Sequence, residues 1–267
     1  RSRDPEDIRK EAADLAAGGL KEIVLTGIDI SSYAWHYGDS RKSMGLQELL
    51  EGLGRIPGLA RIRLGSLEAG IVTRSFLDSL QKVRSFCPQF HLSLQSGSDS
   101  VLKRMNRKYD TARYLESVTL LKEFFPGCAV TTDLIVAFPG ETEAEFSQSL
   151  DFLQTCGFAQ VHVFPYSRRP GTPADRMEGQ HGNRVKEERS ARAIAVAAEL
   201  NRAYQEGLMG SVQQVLFEEA EESFDTGHGK NYVRVYVPEG ETSRHNQVLP
   251  VRITGIRKEG LVGAPEV

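Results

Sequence analysis

The strongest constraint on the fold is an alternation between two hydrophobic periods. Five apolar segments rich in β-branched residues, at 22–26, 61–67, 89–95, 130–138 and 160–166, alternate with stretches of helical spacing at 5–17, 46–53, 75–83, 111–125 and 141–155. Strands that alternate with helices of this length are joined by right-handed crossovers and therefore pair in parallel. The punctuation agrees. Gly18-Gly19, Pro57-Gly58 and Pro126-Gly127 interrupt the chain between elements, and Asp4-Pro5 supplies an N-cap and a first-turn proline. Because the chain opens on a helix with no strand before it, the repeat is expected to lack its first strand and the part that carried it. The open sheet is then expected to expose an edge, and to associate or rearrange there.

After a Pro-, Gly- and Arg-rich connection at 168–183, an Ala-rich helix is predicted from 184 to 208, ended by Gly210. Short strands are predicted at 212–217, 232–237, 248–256 and 260–262. Val233, Val235 and Val237 alternate with Arg234 and Tyr236, the spacing of a half-buried antiparallel strand. The reading is an α/β body followed by a small antiparallel β-barrel.

Composition narrows the function less than it narrows the fold. The chain is 40% hydrophobic and 26% charged with a net charge of −3, so no chain-wide basic character marks it for nucleic acid. No apolar run is long enough for a bilayer and no signal core is seen, which predicts a cytoplasmic location and no membrane partner. Cys87, Cys128 and Cys156 lack C-x-x-C spacing and read as buried small hydrophobes, so no metal ligand is assigned. There is no G-x-S-x-G, P-loop or dinucleotide fingerprint to support a hydrolase, kinase or Rossmann reading.

The polar residues gather at predicted strand ends. Gly27 follows the first strand, Ser66 and Glu68 the second, and Gln95 and Ser96 the third, while Asp133 lies in the fourth and Phe164 and Tyr166 close the fifth. In a parallel sheet these ends converge on one rim, where ligands bind. Each has a plain structural alternative: Gly27 as a tight turn, Glu68 as a solvated acid, Gln95 and Ser96 as caps of the helix that Ser98 and Asp99 begin. Asp133, inside an apolar strand, requires a partner or a ligand. His91 and His162 have no ligand at metal spacing and read as structural. Tyr33, Trp35 and Tyr37 read as a loop folding over itself. Two basic clusters, Lys103, Arg104, Arg107 and Lys108, then Arg168 and Arg169, lie close to the rim and fit either phosphates or a solvated face. In the terminal module acids outnumber bases, which weakens it as an electrostatic RNA binder; Lys230 and Arg252 are its candidates.

Several phrases occur in a fixed order: Ile23-Val24-Leu25-Thr26-Gly27, Leu94-Gln95-Ser96-Gly97-Ser98-Asp99, Lys103-Arg104-Met105-Asn106-Arg107, Phe138-Pro139-Gly140-Glu141-Thr142 and Tyr166-Ser167-Arg168-Arg169-Pro170-Gly171-Thr172-Pro173. With them the chain resembles the radical S-adenosylmethionine methylthiotransferases. Ser66-Leu67-Glu68 and Thr131-Thr132-Asp133 resemble the branch that methylthiolates C2 of N6-threonylcarbamoyladenosine beside the anticodon of tRNA. The branches acting on isopentenyladenosine and on a ribosomal-protein aspartate fit less well.

The resemblance implies a partial, open TIM-like β/α barrel of the radical SAM type over 1–209 and a TRAM RNA-binding barrel over 210–267. It implies S-adenosylmethionine at Gly27, Ser66, Glu68, Gln95, Ser96, Asp133, Phe164 and Tyr166, and tRNA held through its anticodon stem-loop. It also implies an electron donor and two 4Fe–4S clusters in the full-length enzyme, whose ligands are not in this chain. The chain is therefore expected to be a fragment, inactive alone; a non-enzymatic RNA-binding protein with a decayed barrel is the alternative. Gly65, Ala69-Gly70 and Ala137 depart from the family's usual residues and are expected to reshape the rim.

Overall fold

The computed structural model describes residues 1–37, 43–258 and 260–266. In chain order the body runs α1 (Pro5–Ala17), β1 (Glu22–Leu25), a hairpin of β2 (Ala34–His36) and β3 (Ser43–Gly45), α2 (Leu46–Leu53) and β4 (Arg61–Leu64). It continues with α3 (Arg74–Gln81), β5 (Gln89–His91), α4 (Asp99–Arg104), α5 (Thr111–Phe124), β6 (Ala129–Val136), α6 (Glu143–Cys156), β7 (Gln160–Pro165) and α7 (Asn183–Glu206). The hairpin is the loop around Trp35 folded on itself, with Trp35 opposite Met44.

The strands lie side by side in the order β1, β4, β5, β6, β7, all parallel. The β4–β5 seam is carried by isolated bridges at Ile62/Phe86 and Leu67/Leu92. Among the described residues β1 and β7 each pair on one side only, and Val24 on β1 is 53% exposed. The two-residue period of a strand sends alternate side chains to opposite faces. Ile62, Leu64, Phe90, Leu92, Val130, Leu134 and Val161 form one face and join the helices in the main core. Glu22, Arg61, Arg63, Gln89, His91, Thr131, Asp133, His162 and Phe164 occupy the other with Val24, Ala129 and Ile135, so that face is mostly polar.

The turn after β5 is jammed against α6. Gly97 donates its N–H to Ser149 Oγ at 3.0 Å, and a Cβ added at Gly97 would lie 2.7 Å from both Ser149 Cα and Phe152 Cβ. Ser98 is the N-cap residue of α4, yet its hydroxyl donates to Gln148 at 2.9 Å, while Asp99 accepts the Thr111 N–H at 2.8 Å and so fixes the start of α5. Arg104 holds α4 to α6 with two 2.9 Å bonds to Glu145, which also closes the capping box of α6 with Thr142. These donors, the Arg104 guanidinium first among them, pull the Glu145 carboxyl down to about 2.

The terminal unit contains β8 (Val212–Glu221), β9 (Phe224–His228), β10 (Arg234–Pro238), β11 (Val248–Arg257) and β12 (Gly260–Pro265), closed in the order β10, β12, β11, β8, β9. Val215, Phe217, Val235, Val237, Val251, Ile253 and Leu261 fill it. Two expectations are corrected. The barrel is not wholly antiparallel, because β10 and β12 close it in parallel, and β9 was not foreseen. The barrel docks on the charged end of the sheet. Arg61 donates to His228 O at 2.8 Å and to Gln214 O, Arg63 donates to Lys230 O at 3.0 Å, and Glu22 accepts from both guanidiniums.

Replacing Gly97 with Ala forces the turn off α6. It is expected to destabilise the chain by about 1–3 kcal/mol in urea denaturation, whereas Gly27→Ala, whose added Cβ meets nothing within 4 Å, leaves stability unchanged. Glu145 contributes stability above the usual carboxylate range and loses it as pH falls toward about 2. The acid limb of a stability–pH curve is therefore expected to be shallower for Glu145→Gln than for the natural chain.

Candidate cofactor site at the strand ends

The carboxyl ends of the parallel strands bring five short segments to one rim. Thr26 and Gly27 leave β1 exposed, and Gly27 has neither a left-handed φ nor a crowding neighbour, so nothing in the fold demands a glycine there. Ser66 and Glu68 lie exposed beyond β4, and the Glu68 N–H donates to Ser31 Oγ at 3.0 Å. Gln95 sits in the left-handed region at φ 73°, held there because its N–H donates to Asp133 O and its carbonyl accepts the Ile135 N–H, both at 2.9 Å. A non-glycine residue in that conformation costs about 1–2 kcal/mol, and such strain collects at functional sites. Tyr109 secures the same strand end by donating toward Ser93 O at 2.6 Å and Leu94 O at 3.0 Å; burial pushes its hydroxyl up to about 12.

Below the rim, Asp133 is half-buried and has found a partner. His91 Nε2 lies 3.4 Å from Asp133 Oδ2, and its Nδ1 lies 3.1 Å from Thr131 Oγ1. The imidazole holds the Asp133 carboxyl below its ordinary range against the opposing effect of burial. His162 stands opposite Asp133 in the β6–β7 register, its ring 6.1 Å from that of His91. Of the two histidines that read as structural, His91 thus pairs with the carboxylate and His162 stands beside the pair. The signal was present in the sequence: His91 shares the parity of Gln95, and Asp133 that of Thr131.

Other expected site residues face elsewhere. The Ser96 side chain is 0% exposed and spent on Ser149 Oγ at 3.2 Å and on the Ser98 N–H, so it points into α6. Tyr166 is buried against Phe138 at a ring distance of 5.3 Å, whereas Phe164 is 51% exposed on the polar face. Of the basic candidates, Arg104 is bound to Glu145, Arg168 to Asp175, Arg252 to Glu266, and Lys230 donates to Arg84 O. Among the described residues Lys108 reaches only Asn106, at 3.0 Å. Lys103, Arg107 and Arg169 have no side-chain partner among the described residues, and Arg107 Nε is buried without one. Glu141, which read only as part of a loop, is buried in an ion pair with Arg189 at 2.6 Å.

The rim can accept hydrogen bonds from an ammonium or from ribose hydroxyls through Asp133, Glu68, Ser66 and Gln95. It leaves open space over Gly27 and offers one aromatic face at Phe164. Those groups fit S-adenosylmethionine, which carries an ammonium, a ribose and an adenine. An iron–sulfur cluster is not fitted: among the described residues no three His, Cys, Asp or Glu side chains group for a metal. All three cysteines are buried, and burial pushes the Cys128 and Cys156 thiols up to about 12, far from thiolate. Among the described residues no helix is long and apolar enough to cross a membrane.

Known proteins place this geometry. The chain is 40% identical to the threonylcarbamoyladenosine tRNA methylthiotransferase MtaB of Bacillus subtilis (strain 168), over 95% of its own length and 56% of that protein. It is 34% identical to the tRNA-2-methylthio-N(6)-dimethylallyladenosine synthase of Oleidesulfovibrio alaskensis, over 99% of its own length and 61% of that protein. It thus spans somewhat more than half of each curated relative. The fold is also that of the coproporphyrinogen III oxidase HemN of Escherichia coli, a radical SAM enzyme: TM-score 0.54 at 15% identity, over 74% of this chain and 47% of that one. Residues 1–153 match the Radical SAM superfamily profile, more than half of the chain, and the chain belongs to that superfamily.

Proposed function

We propose that this chain is the cofactor- and RNA-binding portion of a tRNA methylthiotransferase that acts at C2 of N6-threonylcarbamoyladenosine beside the anticodon. The observation that carries the reading is the rim itself, where an exposed Gly27, exposed acceptors at Ser66 and Glu68, and the His91-held carboxylate of Asp133 surround open space. The 40% identity to a threonylcarbamoyladenosine enzyme, against 34% to a dimethylallyladenosine enzyme, supports the choice of nucleoside. The terminal barrel is then the TRAM module, with the body ending near residue 209.

S-adenosylmethionine supplies the radical and the methyl group when bound. The chain's own residues position it. Glu68 and Ser66 accept from the methionine ammonium, and the open space over Gly27 lets the backbone approach. Asp133 and Gln95 take the ribose hydroxyls, and Phe164 covers one face of the adenine. With the Asp133 carboxylate already ionised beside His91, no proton has to leave it on binding. Since the described residues offer no cysteine set for a cluster, we expect this chain alone to bind and not to turn over.

Calorimetric titration of the chain with S-adenosylmethionine tests the assignment. Asp133→Asn is expected to weaken binding ten-fold or more, since a hydrogen bond to a charged group contributes about 1.5–3 kcal/mol. Ser96→Ala is expected to leave affinity unchanged; equal effects of the two would remove Asp133 from the site. The nucleoside is tested in a deletion strain of the organism of origin, where the 2-methylthio group is expected to vanish from threonylcarbamoyladenosine. Its loss from isopentenyladenosine instead would move the assignment to that branch, and unchanged tRNA would favour an RNA-binding protein without catalysis.

A further inference from the structure

Four polar side chains climb from the amino end of β5 toward the rim by crossing between β5 and β6. Gln89 and His91 stand opposite Ala129 and Thr131 in the parallel register, so one strand period separates each group from the next on its own strand. Gln89 Nε2 donates to Thr131 Oγ1 at 3.3 Å, Thr131 Oγ1 lies 3.1 Å from His91 Nδ1, and His91 Nε2 lies 3.4 Å from Asp133 Oδ2. Gln89 and Thr131 are buried, whereas Asp133 stays partly open to the rim.

The direction of every bond follows from the last member of the row. An ionised carboxylate only accepts, so His91 Nε2 carries a proton and donates. In the neutral imidazole Nδ1 is then the acceptor, and the Thr131 hydroxyl donates to it. A hydroxyl that has given its one proton still accepts, and the Gln89 amide fills that place. Both ring nitrogens are thereby committed, and Asp133 Oδ1 is left without a partner among the described residues. The remaining charged and titratable groups on this face stand apart from the row. Glu22, Arg61, Arg63 and the buried Cys87 thiol lie at the amino end of the sheet, and the exposed His162 of β7 acts on Asp133 as a nearby charge, its ring 6.1 Å from that of His91. On the far side of the sheet, Tyr114 of α5 donates to Leu92 O, and burial holds its hydroxyl neutral.

We infer that Gln89, Thr131 and His91 form a one-way row of donors that aims Asp133, holding Oδ2 on the imidazole so that Oδ1 is presented to the cofactor. His91 and Thr131 are positioning residues, acting through the carboxylate. The inference rests on the cofactor reading above and deepens it by naming what orients its acceptor. An imidazole held at one nitrogen only can turn and exchange tautomers; the row removes that freedom before the ligand arrives, which lowers the ordering cost of binding.

The test follows S-adenosylmethionine affinity by calorimetry from about pH 4 to about pH 8, across the carboxylate and imidazole ranges. The natural chain is expected to keep a level affinity down to the carboxylate range. In His91→Phe, burial acts unopposed on Asp133; affinity is expected to fall about three- to ten-fold at neutral pH, and its acid loss to begin at a higher pH because the carboxyl takes up its proton earlier. His91→Gln restores a donor near Nε2 and is expected to recover most of both. Thr131→Val is expected to lose affinity at the alkaline end and regain it as pH falls through the imidazole range, where the doubly protonated ring donates whichever way it is turned. Thr131→Ser is expected to keep the natural profile. Nitrogen NMR of the ligand-free natural chain is expected to show neutral His91 protonated at Nε2. Protonation at Nδ1 instead, equal profiles for the two Thr131 variants, or a His162→Gln variant that matches His91→Phe overturns the inference and leaves the cofactor reading standing. The expected tautomer in a natural chain that binds no S-adenosylmethionine at any pH overturns the cofactor reading and, with it, the role of the row.

Discussion

Glu22 lies between Arg61 and Arg63, three charged groups on two neighbouring strands of a sheet that is otherwise built to be buried. Arg61 is 1% exposed, and its burial, with the like charge of Arg63 beside it, pulls the guanidinium below its ordinary pKa. Withdrawing such ions from water costs several kcal/mol each unless every donor is met. One carboxylate cannot meet them all. The further acceptors are backbone carbonyls of Gln214, His228, Gly229 and Lys230, supplied from more than 150 residues away in sequence by the terminal barrel, and Arg61 Nε is left without a partner among the described residues. The sheet can therefore carry its charged end only with the barrel in place, and the ring of Tyr232 completes the contact, with the Arg63 guanidinium 4.6 Å from its centre.

Docking at that end leaves the other end free. The polar face runs from the closed arginines, through His91, Asp133 and His162, to the open rim, so one strand period produces both an interface and a site. The middle group solves the same desolvation problem with less commitment. Asp133 stays partly exposed and meets one imidazole at 3.4 Å, which stabilises its charge and leaves an oxygen for a ligand. The main core beneath is apolar and shared by the helices, so the polar face adds nothing to it and is free to carry chemistry.

The parallel sheet, the order of its elements and the convergence of the strand ends were legible because each rests on local periodicity. What failed was parity and distance. Gln95 and Ser96 are adjacent, so a two-residue period can send only one of them to the rim; Ser96 is the one turned into α6. Phe164 and Tyr166 share a parity, but β7 ends at Pro165 and Tyr166 leaves the strand's geometry for the Phe138 contact. The strand β9 reads Phe-Asp-Thr-Gly-His, with no apolar alternation; its conformation comes from pairing with β8 and β10 on both sides. The basic clusters were visible as composition, yet the pairs that neutralise them join residues such as Arg104 and Glu145, 41 apart, which no local window contains.

The same distance effect decides what the departures at the rim mean. Ala137 stands where the resembling family usually has glycine, and its φ of 57° is the conformation that glycine would take at no cost. The strain of about 1–2 kcal/mol is tolerable because the Ala137 N–H donates to Glu141 at 2.7 Å and Glu141 is held in turn by Arg189 of α7. The Ala137 methyl is wholly buried, so it does not itself face the rim's opening. Both ends of the sheet are thus set by arginine–carboxylate pairs that depend on the C-terminal part of the chain: Glu141 with Arg189 above and Glu22 with Arg61 below. A rim fixed in this way is shaped before any ligand arrives, which is the condition for positioning a flexible cofactor without ordering the protein at the same time.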